Sequence, residues 1–198
     1  MTYNGLIAGL GNPGKQYHET RHNMGFMLID FLLEHSDQVE QLNGNKFSCH
    51  LWKVTIGTPK AWWLVAKPQT YMNLSGQSIQ PLLAWHKLNA SNLIVLHDEL
   101  DIPVGQLRFK FGGGNAGHNG LKSITAQLGT PDFYRLRLGI GRPSLPEHGD
   151  VSSFVLTKAK GSEQENLKNA LPKAIEVIDT FIKDGLKNAT KYALSIKE

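Results

Sequence analysis

The sequence predicts a single-domain α/β fold, in which helices flank both faces of a twisted mixed β-sheet. Short apolar runs alternate along the chain with longer segments of helical periodicity, as expected for an α/β protein. Two of the runs, 47–56 and 61–66, are separated by a Gly-Thr-Pro turn, which predicts a hairpin and therefore a mixed sheet. The 198 residues contain no internal repeat, low-complexity tract or linker, so we assign residues 1–198 to one domain.

The N-terminal elements follow the hydrophobic pattern. Residues 6–10 form a short apolar run that ends in Gly11, which predicts a buried strand. Residues 11–21 are polar and rich in turn formers, so we expect a loop. The dense apolar stretch 24–33 then predicts a mostly buried helix.

The elements after the hairpin are predicted in the same way. Residues 75–88 have helical periodicity, with Pro81 as an irregularity. Residues 93–96 form a β-rich run that is expected to stop at His97-Asp98. Residues 106–111 alternate as an exposed edge strand would.

The C-terminal third begins with a flexible connection. The three glycines 112–114 predict a mobile loop. A helix near 120–128 and a strand at 136–140 are expected after it. Residues 163–194 have helical periodicity that is interrupted at Gly185.

The composition excludes several classes of protein. With 40% hydrophobic and 19% charged residues the chain is too well mixed for disorder, and no window approaches the ~18 apolar residues of a membrane span. The first residues lack the basic head of a signal peptide. A single cysteine, Cys49, excludes an intramolecular disulfide and a cysteine-built zinc site. We therefore expect a cytoplasmic protein with no membrane partner.

The positive charge is concentrated in one part of the chain. The formal net charge is +4, and residues 104–146 hold six basic side chains and one acidic side chain, Asp132. The basic residues are Arg108, Lys110, Lys122, Arg135, Arg137 and Arg142. A basic face of this kind is typical of proteins that bind a polyanion, although a solvated basic surface would have the same composition.

Two motif matches lack the structural context that they require. Residues 9–14 fit the dinucleotide pattern G-x-G-x-x-G, but polar loop residues follow where a helix should begin. Residues 18–22 read H-E-x-x-H, but they lie in or beside a Gly/Pro loop, and position 28 is Leu28 where a third histidine would be needed. We therefore expect neither a nucleotide cofactor nor a catalytic zinc.

Five polar clusters lie at the ends of predicted strands or in adjacent loops. They are Asn12, His22-Asn23, residues 71–73, residues 97–99 and His118-Asn119. Ligands bind at the carboxyl ends of strands in open α/β sheets, so these loops are expected to share one crevice. A histidine paired with a buried aspartate can act as a general base for water, and asparagine amides can bind a peptide or an oxyanion. The alternative is that these residues only cap turns and helices.

Six segments together resemble one known family. They are GLGNPG at 9–14, YHETRHNMG at 17–25, KPQTYMNLSG at 67–76, HDELD at 97–101, GHNGLK at 117–122 and RLRLGIGRP at 135–143. Their order and spacing, continued by residues 154–156, are similar to those of the bacterial peptidyl-tRNA hydrolases over nearly the whole chain. In one departure, Ala116 precedes Gly117 where the family usually has a second glycine, and this loop is therefore expected to be slightly stiffer.

The resemblance implies a monomeric, metal-independent enzyme without a cofactor. Such an enzyme cleaves the ester between a peptide and the 3′ end of tRNA. By this resemblance, His22 is the catalytic base, Asp98 orients it, and Asn12 discriminates N-blocked from free aminoacyl-tRNA. The resemblance also implies contacts to the tRNA acceptor end or the peptide from Tyr17, Tyr71, Asn73 and Asn119, and to the tRNA 5′ phosphate from Lys110 and Arg137.

Some alternatives remain open from the sequence. His118 either contacts tRNA or holds the glycine-rich loop, and His97 and Glu99 are interpreted as neighbours of Asp98 without chemistry. A non-catalytic RNA-binding module on the same fold could lose the His22–Asp98 pair, and the presence of both residues favours the enzyme. A general esterase should ignore the tRNA body and be insensitive to salt.

Overall fold

The computed structural model describes residues 2–57, 59–143 and 150–196, so the end of the basic segment at 144–146 lies outside the described residues. The strands are β1 (Leu6–Gly9), β2 (Val39–Leu42), β3 (Cys49–Ile56), β4 (Ala61–Pro68), β5 (Leu93–Glu99), β6 (Leu107–Phe111) and β7 (Tyr134–Gly139). The helices are α1 (Met24–Glu34), α2 (Ser75–Trp85), α3 (Asn119–Leu128), α4 (Val151–Val155) and α5 (Gly161–Ser195). The backbone of α5 is broken at Gly185, where φ is 79°.

All seven strands belong to one mixed sheet with the order β2-β3-β4-β1-β5-β7-β6. The four central strands β4, β1, β5 and β7 are parallel, whereas β2, β3 and β6 are antiparallel to their neighbours. The predicted mixed sheet, its β3–β4 hairpin and its edge strand β6 are therefore confirmed. Because parallel strands point the same way, the chain leaves β1, β4, β5 and β7 at one edge of the sheet, where ligands bind in such folds.

Helices cover both faces of the sheet, as predicted. On one face, Leu28 of α1 and Val177 of α5 pack with Ile7 of β1. On the other face, Leu82 of α2 belongs to a second core cluster that includes Ala8. The neighbouring residues Ile7 and Ala8 enter different clusters because successive side chains of a strand point to opposite faces. None of the described helices combines the length and the apolar character needed to cross a membrane.

Three elements differ from the sequence expectation. Strand β5 runs three residues beyond the apolar run, because His97, Asp98 and Glu99 continue the parallel pairing with β7 and are buried. The polar strand β2 was not predicted, since it lies at the edge of the sheet and is mostly exposed. Helix α4 was also not predicted, since five residues give too short a pattern to detect.

The glycine-rich loop after β6 is held by a buried cation. Arg135 of β7 is fully buried, and its guanidinium donates to the carbonyl oxygens of Gly114 at 2.7 Å and Gly113 at 2.8 Å. In the same loop Ala116 has a φ of 45°, a region that costs an L-residue about 1–2 kcal/mol. The loop expected to be mobile is therefore tied to the sheet by its carbonyl groups.

Close contact between two glycines brings α1 against the sheet. A Cβ atom on Gly25 would lie 2.3 Å from the backbone nitrogen of Leu10 and 2.3 Å from the carbonyl oxygen of Leu96. A Cβ atom on Gly9 would lie 2.2 Å from the carbonyl oxygen of Gly25. The first glycine of the G-x-G-x-x-G match therefore allows α1 to pack closely on the sheet, and the turn that precedes α1 contacts β5.

We predict that Gly25→Ala lowers the free energy of unfolding by roughly 1–3 kcal/mol, because the new methyl group must push α1 away from the backbone of Leu10 and of Leu96 in β5. Urea denaturation of the wild type and the variant measures the change. The control is Gly114→Ala, since a Cβ atom there would meet no atom within 4 Å. Equal effects of the two substitutions would contradict this account of the packing.

Candidate active site

A buried carboxylate at the end of β5 organises the site. Asp98 is 3% exposed, and its two oxygens lie 3.1 Å and 3.0 Å from Nδ1 of His22. His22 belongs to the single 3₁₀ turn Arg21–Asn23 that leads into α1. A carboxylate accepts hydrogen bonds, so Nδ1 of His22 carries the proton and Nε2 keeps its lone pair in the neutral ring. His22 therefore presents the nitrogen that a general base requires.

A second imidazole binds the same carboxylate. Nε2 of His118 lies 3.1 Å from Oδ1 of Asp98. Nδ1 of His118 accepts hydrogen bonds from the backbone N–H groups of Gly120 at 3.1 Å and Leu121 at 3.4 Å, so the side chain is the N-cap of α3. Because Nδ1 is an acceptor, Nε2 must carry the proton and donate to Asp98. His118 therefore hydrogen-bonds to Asp98, and its contacts are not limited to the glycine-rich loop.

The electrostatics of this cluster favour a charged Asp98. Burial raises the pKa of Asp98, but attraction and hydrogen bonds from His22 and His118 outweigh burial and lower the pKa well below its usual range. Burial lowers the pKa of His22, but the charge and hydrogen bond of Asp98 outweigh it and raise this pKa above the ordinary value. Burial also lowers the pKa of His97, whose Nδ1 donates to the Asp98 carbonyl oxygen at 2.7 Å. His97 therefore stays neutral and structural.

Three side chains of this cluster have the spacing of a metal site. Within the described residues, His22, Asp98 and His118 form one group of possible ligands whose atoms lie within 4.8 Å of one another. A metal would need a lone pair on Nε2 of His118 and hence a proton on Nδ1. Two backbone N–H groups already point at Nδ1, so that tautomer is opposed. The hydrogen bonds to Nδ1 of His118 therefore oppose a metal ion between these three side chains and leave the cluster suited to proton transfer.

Two adjoining clefts open beside the pair of His22 and Asp98. The first has a volume of about 370 Å³ and includes both residues, Ala116 of the glycine-rich loop and Val151 of α4. The second has a volume of about 320 Å³, and it is lined among others by Asn12, His22, Tyr71, Asn73 and Asn119. The crevice expected from the five polar clusters is therefore present, and α4 forms a wall that sequence reasoning missed.

Asn12 is fixed in one orientation by three hydrogen bonds. Its Oδ1 accepts the backbone N–H of Met72 at 2.8 Å. Its backbone N–H donates to Oδ1 of Asn23, and its carbonyl oxygen accepts from Nδ2 of Asn23 at 2.9 Å. Because the Met72 N–H holds Oδ1, the orientation of the amide is fixed and its NH₂ group is available to a ligand. Asn23, which follows His22 in the sequence, is the residue that positions Asn12.

The two tyrosines lie next to each other at the second cleft. Tyr71 lines the cleft and is 55% exposed. The ring of Tyr17 packs edge-on against Tyr71, with centroids 6.5 Å apart. Tyr17 thus supports Tyr71 and does not line either cleft.

The basic pair Lys110 and Arg137 lies apart from the clefts, on β6 and β7. Arg137 donates from Nε and Nη2 to one oxygen of Glu99, at 3.1 Å and 3.0 Å. Lys110 lies close to the other cations because β6 and β7 pair it with Arg135. Burial, followed by the charges of Arg137 and Arg135, lowers the pKa of Lys110. Glu99, which sequence reasoning left without a role, orients Arg137.

We predict that the ring of His22 titrates with a midpoint above about 6.5 and that Asp98→Asn lowers this midpoint, since burial remains while the carboxylate charge is lost. The measurement is an NMR titration of the ring protons, with the buried His97 as an internal control that should not titrate near neutral pH. Because the folded pKa of His22 is raised, its pairing with Asp98 stabilises the fold fully below about pH 6.5, and this contribution is lost as the pH rises through the raised pKa. An unchanged midpoint in Asp98→Asn would contradict the pairing.

Comparison with known proteins agrees with the geometry. The family model for peptidyl-tRNA hydrolase matches residues 6–197 of this chain. Peptidyl-tRNA hydrolase of Desulfovibrio desulfuricans is 59% identical over 98% of this chain and 85% of its own length, and that of Nitratidesulfovibrio vulgaris strain Miyazaki F is 48% identical over 100% and 99%. The crystal structure of peptidyl-tRNA hydrolase from Acinetobacter baumannii superposes with a TM-score of 0.89 at 35% identity, covering 100% of this chain and 98% of that one. The chain therefore belongs to the peptidyl-tRNA hydrolase family, whose members are hydrolases acting on ester bonds.

Proposed function

We propose that the chain hydrolyses the ester between the peptide and the 3′ end of tRNA, with His22 as the general base. The observation that carries this assignment is the hydrogen bond from Nδ1 of His22 to the buried Asp98, which leaves Nε2 as a base beside the cleft. Membership of the peptidyl-tRNA hydrolase family supports the reaction class.

In the proposed mechanism, Nε2 of His22 takes a proton from water as the water oxygen attacks the ester carbonyl carbon. Asp98 stabilises the imidazolium that forms, and His118 holds Asp98 through a second hydrogen bond. When the carbon–oxygen bond to the ribose breaks, the imidazolium returns the proton to the leaving ribose oxygen. The amides of Asn73 and Asn119 line the cleft and supply neutral donors for the developing oxyanion.

We expect His22→Ala to lower kcat/KM for N-acetylaminoacyl-tRNA by roughly 10²–10⁴-fold while tRNA binding persists, because only the general base is removed. Release of the acetylated amino acid measures hydrolysis, and filter binding measures tRNA affinity. The matched control is His18→Ala, which removes an exposed histidine from the same loop and should leave the rate unchanged. A chelator should also have no effect, since no step uses a metal.

Other results would assign a different function. Near wild-type turnover in His22→Ala would refute the base assignment. Tight tRNA binding by the wild type without cleavage would identify the RNA-binding module instead. Cleavage that is independent of the tRNA body and of salt would identify a general esterase, because phosphate contacts make tRNA binding weaken as salt rises.

The orientation of Asn12 suggests how N-blocked substrates are selected. With Oδ1 bound to Met72, the side chain offers an N–H donor to the cleft. A carbonyl oxygen of an N-blocked substrate can accept this hydrogen bond. The ammonium of a free aminoacyl-tRNA meets a donor in place of an acceptor, and it loses hydration without compensation.

We predict that Asn12→Asp reduces the preference for N-acetylated over free aminoacyl-tRNA by about tenfold, because a carboxylate keeps the Met72 hydrogen bond and presents an acceptor to the ammonium. The preference is measured as the ratio of the two kcat/KM values. Asn12→Ala is the control, since it removes the donor without adding an acceptor; it should weaken hydrolysis of the N-acetylated substrate without adding a contact to the free ammonium. A ratio unchanged in Asn12→Asp would rule out this role.

The tRNA body is proposed to bind on the β6/β7 side of the sheet. Arg108, Lys110 and Arg137 share one face there, because β6 and β7 pair Arg108 with Arg137, and Lys110 with the buried Arg135. A cluster of cations suits a phosphate, and we assign the 5′ phosphate to Lys110 and Arg137. We also propose that the acceptor end of the tRNA or the peptide contacts Tyr71, Asn73 and Asn119, with Tyr17 supporting Tyr71. We further propose that the enzyme acts in the cytoplasm as a monomer.

A further inference from the structure

A buried arginine lies next to the proposed base in the sequence. Arg21 precedes His22 and is 6% exposed although it carries a charge. Its Nε and Nη2 donate to the two carboxylate oxygens of Glu163, at 2.6 Å and 2.7 Å. This fork-to-fork pair joins the turn that holds His22 to the first turn of α5.

The third nitrogen of Arg21 binds the chain between α4 and α5. Nη1 donates to Oγ1 of Thr157 at 2.6 Å and to the carbonyl oxygens of Thr157 and Lys158 at 3.2 Å and 3.3 Å. The guanidinium carbon also lies 4.2 Å from the ring centroid of Phe154. One side chain therefore contacts the end of α4, the following turn and the start of α5.

The segment that Arg21 holds is the wall of the active-site clefts. Val151, Ser152 and Val155 line the cleft that contains His22 and Asp98, and Ser152, Val155 and Leu156 line the cleft that contains Asn12. Helix α4 has five residues, which is too short to be stable without tertiary contacts. Its position relative to His22 must come from the groups that anchor it.

We propose that Arg21 is a positioning residue that fixes the α4 wall at a set distance from His22, through Glu163 and Thr157. Arg21 is bonded covalently to His22 and by five side-chain hydrogen bonds to Glu163, Thr157 and Lys158, so the base and the wall share one rigid connection. Because the wall is already ordered, it loses little conformational entropy when the substrate binds. This inference rests on the proposed hydrolase function.

The test is Glu163→Gln, which removes the carboxylate charge and one acceptor oxygen but preserves side-chain size. Its matched control is Glu19→Gln, because Glu19 pairs with Lys158 at the same junction but is exposed. We expect Glu163→Gln to raise KM for N-acetylaminoacyl-tRNA by about 3–10-fold with kcat changed less than about twofold, since uniform binding is lost and the His22–Asp98 pair is untouched. We expect faster amide hydrogen exchange in 151–157, and neither effect in Glu19→Gln.

A second variant keeps the test decisive if Glu163→Gln folds poorly. Thr157→Val removes the hydrogen bond from Nη1 to Oγ1 of Thr157 but leaves the ion pair and the backbone carbonyl acceptors. A smaller rise in KM with faster exchange in 151–157 is therefore expected. KM and exchange equal to those of Glu19→Gln in both variants would overturn the proposal. So would a loss of kcat at unchanged KM, which would mean that the base and not the wall has moved. A wild-type enzyme without hydrolysis would refute the proposed function, while the exchange measurement would still report on the anchoring of α4.

Discussion

The burial of the Asp98 carboxylate is the constraint on which the site depends. A buried charge is costly unless hydrogen-bond donors surround it, and here the donors are imidazole N–H groups of His22 and His118. These histidines come from the turn after β1 and from the N-terminus of α3, which are far apart in the sequence. Both segments must therefore meet at the end of β5 to supply the hydrogen bonds that the buried carboxylate of Asp98 needs.

The rest of the fold makes that meeting possible. The absence of side chains at Gly9 and Gly25 lets α1 approach the sheet closely enough for the preceding turn to carry His22 over β5. On the other side, the buried Arg135 holds the carbonyl groups of the loop that leads to His118. The backbone N–H groups of α3 then set the tautomer of His118, so that its proton faces Asp98. Packing and hydrogen bonding thus fix both imidazoles before any substrate arrives.

Hydrogen bonds also hold the outer wall of the site, which is formed by α4. The Arg21–Glu163 ion pair joins a buried guanidinium to a half-buried carboxylate at a junction of three segments, where a fork of N–H groups can meet several carbonyl acceptors at once. Arginine suits this position because its planar guanidinium donates in several directions, whereas a lysine ammonium cannot reach all of these acceptors. A short helix with little intrinsic stability can then line a cleft in a defined position.

The amino-acid sequence by itself determined the α/β class, most of the strands and helices, the break at Gly185 and the resemblance to the peptidyl-tRNA hydrolases, because hydrophobic periodicity and local motifs are properties of neighbouring residues. It also indicated which polar clusters would share the crevice, because they follow strands. The extension of β5 through Glu99, the edge strand β2 and helix α4 were missed, since their formation depends on partners distant in the chain. The tautomers of His22 and His118, the free NH₂ group of Asn12 and the anchoring role of Arg21 were decided only by the tertiary structure. Each of them depends on which donor or acceptor lies opposite, and only the folded chain brings those groups together.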